Sequence, residues 1–322
     1  MDLMNGYIQH PPFFIEIEPT EGCNLGCSFC GLRGIRKNGT KPWKFLSLEN
    51  AETIAQKIAD ENWTCPITFC GHGEPTLNKN LIEIMRIFRK KLPKNRFNII
   101  TNGAGFRNGN FEINDFLNKE ESIGLNDLIF DVYSDNGDWT VISDIKKKIN
   151  IKIIGQDDEG FTYRQKELRI ALYPMDIRGN KAILRSLSNH CGAASPLDYR
   201  RKDITCVKPF REFFIRWDGS VALCCDDFRG QYFIENVLNK ITLKEIWNHE
   251  RFQAARIMLF NKSRTISPCL GCSCPPIRAG LIPDPSGRDK DKMPKITKDT
   301  IRIFKSAYNP KGLTTIVKRD WE

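Results

Sequence analysis

The first 175 residues alternate short strand-like segments with amphipathic helix-like ones. In residues 14–18, apolar and polar positions alternate as in a strand with one buried face. Ser47 then precedes apolar positions at helical spacing, which predicts an N-capped helix beginning at Leu48, and a second helical pattern begins at Leu81. Further strands are predicted at residues 66–69, 97–101, 127–132, 151–154 and 168–172.

Six strands separated by helical segments predict an α/β fold with a parallel sheet, either doubly wound or an incomplete barrel. A partial (β/α)6 TIM-like barrel is preferred, because candidate chemistry follows the first four strands at their carboxyl ends, where barrel enzymes build their sites. These segments are residues 23–30, 71–75, 101–103 and 133–134.

The character of the chain changes near residue 190. Cysteines concentrate beyond that point, and a strand pair is predicted around residues 217–220. The last part is polar, basic and proline-containing, which indicates an extension packed on the surface. The predicted regions are therefore a core at 1–190, a cysteine-rich domain at 191–283 and a C-terminal extension at 284–322.

Composition narrows the class of protein. The chain has 322 residues, 40% hydrophobic and 27% charged, as in ordinary soluble globular proteins. It has neither a signal-peptide pattern nor a run of about 18 apolar residues, so we expect no membrane partner and a cytoplasmic location. The 12 cysteines are too few for a disulfide scaffold, and several stand in closely spaced groups, which indicates metal binding in a reducing compartment.

The formal charge of +10 comes from 49 basic and 39 acidic residues. Such a field could attract nucleic acid, an acidic peptide or a phosphorylated metabolite. A solvated basic surface is the simpler interpretation, because the lysines are spread out and no RNA-binding motif accompanies them. Nucleic acid is therefore an alternative partner rather than the expected one.

Cys23, Cys27 and Cys30 are spaced C-x3-C-x2-C in a glycine-containing loop. Three thiolates can hold three irons of a [4Fe–4S] cluster and leave the fourth iron open, although a zinc site with a ligand from elsewhere is an alternative. With the aromatic Phe29 directly before the third cysteine, the loop resembles the signature loop of the radical S-adenosylmethionine (SAM) enzymes.

Two further segments extend the resemblance. Residues 71–75, Gly-His-Gly-Glu-Pro, resemble the GGEP motif of that family, with His72 in place of a glycine, and residues 101–103 resemble its TNG turn. The glycines allow close backbone approach, and a carboxylate can accept hydrogen bonds from an ammonium group. The resemblance implies that SAM is bound by Phe29, Gly71, Gly73, Glu74, Asn102 and Ser134.

A second group of cysteines resembles the SPASM/twitch extension of radical SAM proteins. Cys206 is followed by twelve residues, Gly219, four residues and Cys224, and then by Cys269 and Cys272 as a C-x2-C pair. The resemblance implies an auxiliary [4Fe–4S] cluster with four thiolate ligands and no open iron. Only Cys274 follows, which favours the single-cluster twitch form. A four-cysteine zinc site stays open, as does replacement of a named ligand by Cys225 or Cys274.

His190 and Cys191 stand upstream of this group, where relatives often have an Asn-Arg-Ala-Gly-like turn that reaches the active site. His190 is a candidate acid–base residue, and Cys191 is a candidate hydrogen-atom donor. Packing of both residues in a turn between domains is the alternative.

The resemblance predicts a radical SAM oxidoreductase. SAM on the first cluster is reductively cleaved to a 5′-deoxyadenosyl radical that abstracts hydrogen from a substrate, and the auxiliary cluster takes up or relays an electron. An external donor of the flavodoxin or ferredoxin type is expected. A peptide or protein substrate is slightly preferred to small-molecule dehydrogenation, because no phosphate- or sugar-binding signature is present. The alternatives are radical SAM modification of RNA or a nucleotide, and a non-enzymatic iron–sulfur or zinc module.

Overall fold

The computed structural model describes residues 6–27, 29–32, 43–112, 115–116, 123–134, 143, 153–157, 160–165, 168–176, 190–194, 205–265, 267–274 and 295–309. The strands are β1 (Phe14–Ile17), β2 (Thr20–Glu21), β3 (Lys44–Phe45), β4 (Ile67–Phe69), β5 (Phe97–Thr101), β6 (Asp127–Ser134), β7 (Ile153–Asp157), β8 (Gly160–Gln165), β9 (Leu168–Asp176), β10 (Glu212–Ile215), β11 (Ser220–Ala222) and β12 (Phe233–Asn236). The α-helices are α1 (Leu48–Asp60), α2 (Leu81–Lys91), α3 (Ala104–Arg107), α4 (Leu243–Trp247), α5 (Glu250–Phe260) and α6 (Lys298–Ser306).

Ten of these strands form one sheet in the order β12-β11-β10-β1-β4-β5-β6-β9-β8-β7. The strands from β10 to β9 in that order are parallel, and antiparallel strands extend both edges. Among the described strands the order does not return to its start, as in a partial barrel. The predicted α/β class with a mainly parallel sheet is confirmed.

The hydrophobic core lies between one face of this sheet and the helices. Ile15 and Ile17 of β1 are fully buried there, while Glu16 between them points to the opposite face. Helix α1 begins where the Ser47 side chain accepts a hydrogen bond from the Asn50 backbone N–H at 3.1 Å, as the capping pattern predicts. Its buried residues recur at helical spacing, and α2 packs beside it in the same way.

The strands around residues 150–215 differ from the prediction. The segment predicted at 151–154 contributes to β7, which pairs antiparallel with β8 outside the parallel strands, and residues 151–152 lie outside the described part. The sixth parallel strand is instead β10, which pairs with β1. Alternation of apolar residues indicates a strand but not its neighbour, so this pairing could not be read from the pattern.

The cysteine-rich region thus continues the sheet of the core. The strand pair predicted around residues 217–220 is confirmed, because β10 and β11 form an antiparallel hairpin across that turn. Helix α6 packs on α5, and its buried Phe304 lies 5.1 Å from the ring of Tyr232. The domain limits at residues 190 and 283 stay predictions, and most of the predicted extension 284–322 lies outside the described residues.

Candidate active site

The cysteine loop leaves β2 and is joined at once to the segment after β4. Gly22 and Gly73 form a parallel bridge, in which the Gly22 N–H donates to the His72 carbonyl at 3.1 Å and the Glu74 N–H donates to the Gly22 carbonyl at 2.9 Å. A Cβ on Gly73 would lie 2.2 Å from the Thr20 carbonyl oxygen. Glycine is therefore required at position 73 for the two loops to meet.

The three thiols of the loop form one group. Cys23, Cys27 and Cys30 are half-buried, and the Cys30 N–H donates to the Cys27 carbonyl at 3.0 Å. Burial is the main reason that the pKa of the Cys23 thiol is raised to about 12. The hydrogen bond from the Leu25 N–H lowers this pKa, while the charge of Glu74 and those of the other two cysteines contribute to the increase. The Cys23 sulfur accepts hydrogen bonds from the Leu25 N–H and from Asn102 Nδ2, each at 3.4 Å. Soft sulfur ligands with N–H donors suit an iron–sulfur cluster.

Glu74 holds the segment after β4 against the turn after β5. Its Oε1 accepts hydrogen bonds from the Thr76 backbone N–H at 3.0 Å and from the Thr76 and Thr101 hydroxyls, and its Oε2 accepts one from the Asn102 N–H at 2.6 Å. Burial raises the pKa of this carboxyl, while the hydrogen bonds from Thr101 and Thr76 oppose the increase. The same carboxylate thus positions Asn102, which contacts the cysteine loop.

The remaining predicted SAM-binding residues are distributed around this junction. Phe29 is buried within the cysteine loop. Gly71 has φ of +143°, and a Cβ there would lie 3.0 Å from the Glu18 side chain. Ser134 is the last residue of β6, and its side chain lies outside the described part. The assignment of these residues, and of Gly73, Glu74 and Asn102, to SAM binding stays a prediction.

A buried network of charged residues connects the start of the cysteine loop to the segment after β4. Arg216 lies 2.5 Å from Glu21 Oε2 and 3.4 Å from Glu18 Oε2, and His72 Nδ1 lies 3.2 Å from Glu18 Oε1. Burial would raise the pKa of Glu18, but Arg216 and His72 outweigh it and lower that pKa to about 2. Glu18 and Arg216 are not among the site residues predicted from the sequence, although each charged side chain directly follows the end of a strand.

The four cysteines predicted to hold the auxiliary cluster lie close enough together for their charges to interact. Burial raises the pKa of Cys206 to about 12, with a further contribution from Cys224. The Arg264 guanidinium faces the same thiols: burial lowers its pKa, but Cys206, Cys272 and Cys269 together raise it above the usual value. Four converging thiols next to one cation fit a closed four-cysteine cluster.

Of the two extra cysteines, Cys225 points away from this group. Its sulfur lies 3.2 Å from Lys208 Nζ and 3.6 Å from Glu212 Oε2. Cys274 packs against Cys272 and Cys191, and its backbone N–H donates to the Cys272 sulfur at 3.3 Å.

The turn formed by residues 190–194 lies between the two cysteine groups. His190 and Cys191 both have left-handed backbone, with φ of +46° and +55°. On one side, a Cβ on Gly31 would lie 2.9 Å from the His190 Cβ, and Ala193 packs with Leu32 near the first cysteine group. On the other side, the buried Cys191 side chain packs with Cys272 and Cys274.

His190 belongs to a chain of polar contacts that the sequence did not predict. Its Nδ1 lies 3.5 Å from Asp226 Oδ1, and Asp226 Oδ2 lies 2.7 Å from the buried Lys208 Nζ. Burial would raise the pKa of Asp226, but Lys208 and His190 hold it well below its usual range. In the sequence, two aspartates directly follow Cys224 and Cys225, and this acidic pair was the signal that could have indicated these contacts. The catalytic roles of His190 and Cys191 stay predictions.

A row of polar side chains crosses the sheet on the face opposite the helices. Neighbouring strands place five residues in register: Glu16, Thr68, Asn98, Asp127 and Arg169. Directly paired residues point to the same face. Glu16 also approaches Glu212 and Cys225, with ligand atoms within 4.8 Å of one another. At its Glu16 end, the row therefore adjoins the ion pairs that connect Lys208, Asp226 and His190.

Two cysteine groups on one α/β sheet define a radical SAM protein with an auxiliary iron–sulfur domain, and family models agree. The radical SAM superfamily model matches residues 17–153, and the model of the SPASM iron–sulfur cluster-binding domain matches residues 206–273. The chain belongs to the radical SAM superfamily and carries a SPASM domain. Its cofactors are SAM, the [4Fe–4S] cluster that binds SAM, and auxiliary iron–sulfur cluster content in the SPASM domain. Enzymes of this class require an external reductant.

Individual relatives match different parts of the chain. The GTP 3′,8-cyclase of Pectobacterium atrosepticum is 30% identical over 91 residues, 28% of this chain and 27% of that protein. The S-adenosyl-L-methionine-dependent 2-deoxy-scyllo-inosamine dehydrogenase of Niallia circulans is 22% identical over 264 residues, 80% of this chain and 92% of that protein. The chain thus matches only about a quarter of the cyclase but most of the dehydrogenase.

Among solved structures, BtrN in complex with AdoMet and 2-DOIA has a TM-score of 0.61 at 21% identity, covering 83% of this chain and 94% of BtrN. Selenomethionine BtrN in an open conformation has a TM-score of 0.54 at 18% identity, with the same coverage. At these identities the likeness shows the fold. In the described part of the chain, no helix has the length and hydrophobicity needed to cross a membrane. The cytoplasmic location stays a prediction.

Proposed function

We propose that this protein is a SAM-dependent dehydrogenase that oxidises an alcohol group of a small polar molecule to a carbonyl. The observation that carries the proposal is the place of His190, which faces Asp226 at the junction of the two cysteine groups. The match with a dehydrogenase along most of both chains supports this chemistry. The comparisons give no support to a peptide or protein substrate, so that preference is withdrawn.

Oxidation of an alcohol to a carbonyl removes one hydrogen atom, one electron and one proton. Cys23, Cys27 and Cys30 would hold the cluster, which together with bound SAM would supply the radical chemistry that removes the hydrogen atom. The electron requires an acceptor near the substrate, and Cys206, Cys224, Cys269 and Cys272 would hold it. The proton requires a base, which we assign to His190, with Asp226 orienting the ring through Nδ1.

The polar row explains why a hydroxylated or amine-bearing substrate is preferred. Glu16, Thr68 and Asn98 offer hydrogen-bond acceptors and donors on one face, and Glu16 and Glu212 add negative charge beside Lys208. Such groups recognise the hydroxyl and ammonium groups of a polar substrate. We further propose a flavodoxin- or ferredoxin-type reductant, because the formal charge of +10 favours an acidic protein partner.

The test uses anaerobically reconstituted full-length protein with SAM, dithionite and cyclic polyols or aminocyclitols that carry deuterium at the alcohol carbon. We expect deuterium to appear in 5′-deoxyadenosine and a carbonyl product to form. Cys23→Ala/Cys27→Ala/Cys30→Ala should abolish both. Deuterium transfer from none of the alcohols, in protein that still cleaves SAM, would contradict the dehydrogenase assignment.

His190→Gln tests the proton acceptor within the same assay. SAM cleavage should persist, while carbonyl formation should fall by about 10²–10⁴-fold, the usual contribution of a general base. His10→Gln is the matched control, because the described contacts of the His10 ring are with Pro11 and Phe13, and this variant should turn over like the wild type. Wild-type carbonyl formation by His190→Gln would remove this residue from the reaction.

A further inference from the structure

His72 stands where the family motif that residues 71–75 resemble has a glycine, so SAM binding does not by itself require its side chain. The side chain is nevertheless fully buried, with both ring nitrogens close to oxygen atoms. Nε2 lies 2.7 Å from the Cys225 carbonyl oxygen, and Nδ1 lies 3.2 Å from Glu18 Oε1. Because a carbonyl oxygen can only accept, Nε2 carries the hydrogen of the first contact. His72 therefore joins the segment after β4 to the segment after β11.

The hydrogen bond from His72 reaches the turn that carries Asp226. The Cys225 carbonyl belongs to the planar peptide group whose nitrogen is that of Asp226. Holding this carbonyl therefore fixes the plane from which the Asp226 side chain extends. The Asp226 carboxylate lies 3.5 Å from His190 Nδ1 and 2.7 Å from Lys208 Nζ. The position of His72 thus determines how this carboxylate faces His190.

A second contact leads from His72 to the same residue. The His72 ring packs on the ring of Phe228 at a centroid distance of 4.2 Å, and Phe228 packs on the His190 ring at 4.4 Å. The cysteine loop confines Phe228 from another side, since a Cβ on Gly31 would lie 2.6 Å from its ring. Two routes, one through a peptide group and one through an aromatic ring, therefore connect His72 to His190.

We propose that His72 is a positioning residue: it holds the turn of residues 225–228 and thereby orients the ring of His190. The proposal rests on the proposed dehydrogenase function for the role of His190 as the proton acceptor. A base transfers a proton efficiently only when it is held within hydrogen-bond reach of that proton, so loosening its supports lowers the rate. SAM cleavage does not depend on this proton acceptor, so the loss of His72 should affect carbonyl formation and not 5′-deoxyadenosine formation.

Hydrogen–deuterium exchange of the reconstituted full-length protein measures whether the turn is held, by mass spectrometry of the peptide that contains residues 225–231. His72→Asn keeps an amide beside Glu18 but is too short to reach the Cys225 carbonyl, whereas the longer amide of His72→Gln can donate to it. Exchange should rise by about two- to tenfold in His72→Asn, the net value of one hydrogen bond, and stay near the wild-type rate in His72→Gln. Unchanged exchange in His72→Asn, or an equal rise in both variants, would overturn the proposal.

The dehydrogenase assay adds a readout that a merely structural role would not move. In His72→Asn, carbonyl formation per 5′-deoxyadenosine should fall by about two- to tenfold, and His72→Gln should restore it. In a His190→Gln background, His72→Asn should cause no further loss, because it acts through His190. A further loss there, or an equal fall in SAM cleavage, would overturn the proposal. If the wild type oxidises no alcohol, the dehydrogenase assignment fails, while the exchange rates still decide whether His72 holds the turn.

Discussion

The carboxylate of Glu18 is fully buried and ionised, which is favourable only because its partners surround it. It accepts hydrogen bonds from the His72 and Trp217 backbone N–H groups and lies beside the Arg216 guanidinium. Arg216 also contacts Glu21, so one buried cation connects the end of β1 to the start of the cysteine loop. A group in this situation stabilises the fold only while every partner is present.

Glu18→Gln should therefore destabilise the protein by about 3–5 kcal/mol, because it leaves Arg216 with less compensating charge in a buried site. Chemical denaturation at neutral pH measures the change in the free energy of unfolding. Glu83→Gln is the control, since its ion pair with Arg86 is largely exposed and should contribute under about 1 kcal/mol. Equal effects of the two substitutions would contradict the buried-network interpretation.

The same residue predicts a pH dependence. The pKa of Glu18 is about 2 in the folded chain, below the ordinary value of 4.5. The unfolded chain therefore binds a proton first, and the stability contributed by Glu18 is present above about pH 4.5 and lost as the pH falls towards 2. The stability difference between wild type and Glu18→Gln should shrink over that interval. A constant difference would contradict the low pKa.

At the scale of elements, the loops after β2, β4 and β5 form one hydrogen-bonded unit. The backbone bridge between Gly22 and Gly73 joins the first two loops, and Glu74 joins the second to the third through Asn102. The motifs GHGEP and TNG are short-range patterns and were readable from the sequence. Their mutual contacts depend on parallel pairing of β1, β4 and β5, which no local pattern specifies.

Gly73→Ala should displace the cysteine loop, because its Cβ would overlap the Thr20 carbonyl oxygen at 2.2 Å. Overpacking of this kind costs about 1–3 kcal/mol, so formation of 5′-deoxyadenosine should fall by about tenfold or more. Gly109→Ala is the control: its φ of +70° strains an alanine, but no atom lies within 4 Å of the added Cβ. Wild-type SAM cleavage by Gly73→Ala would show that the loops tolerate separation.

At the scale of the whole molecule, the cysteine-rich region and the core share one sheet and one hydrophobic core. Phe213 of β10 is fully buried between Trp63, which precedes β4, and Trp247 of α4, each at a ring-centroid distance of 5.8 Å. The N-terminal segment adds a second connection, since the Ile8 N–H donates to Asn248 Oδ1 at 2.8 Å. We therefore expect both regions to unfold together.

Phe213→Ala should cost about 3–5 kcal/mol and lower a single melting transition shared by both regions. Circular dichroism and tryptophan fluorescence, recorded on the same full-length sample, should shift by the same amount. Phe45→Ala is the control, because that side chain is 40% exposed and its removal should have little effect. Two separate transitions, of which only one moves, would contradict a shared core.

The sequence by itself determined the features that depend on neighbours along the chain. The strand alternation of residues 14–18, the cap at Ser47, both cysteine spacings, the glycine motif at 71–75 and the turn at 217–220 are all local. Their physical basis is side-chain periodicity, backbone freedom at glycine and the reach of thiolate ligands within a short loop. These features were sufficient for the class of protein and its cofactors.

Only the tertiary structure decided which distant segments meet. It placed β10 beside β1, brought Cys191 to Cys272, and set Asp226 between Lys208 and His190. These pairs are formed by parallel strand pairing and by packing around a common core, and both depend on the closure of long stretches of chain. A residue pattern shows which side chains are available for such contacts, whereas the fold selects their partners.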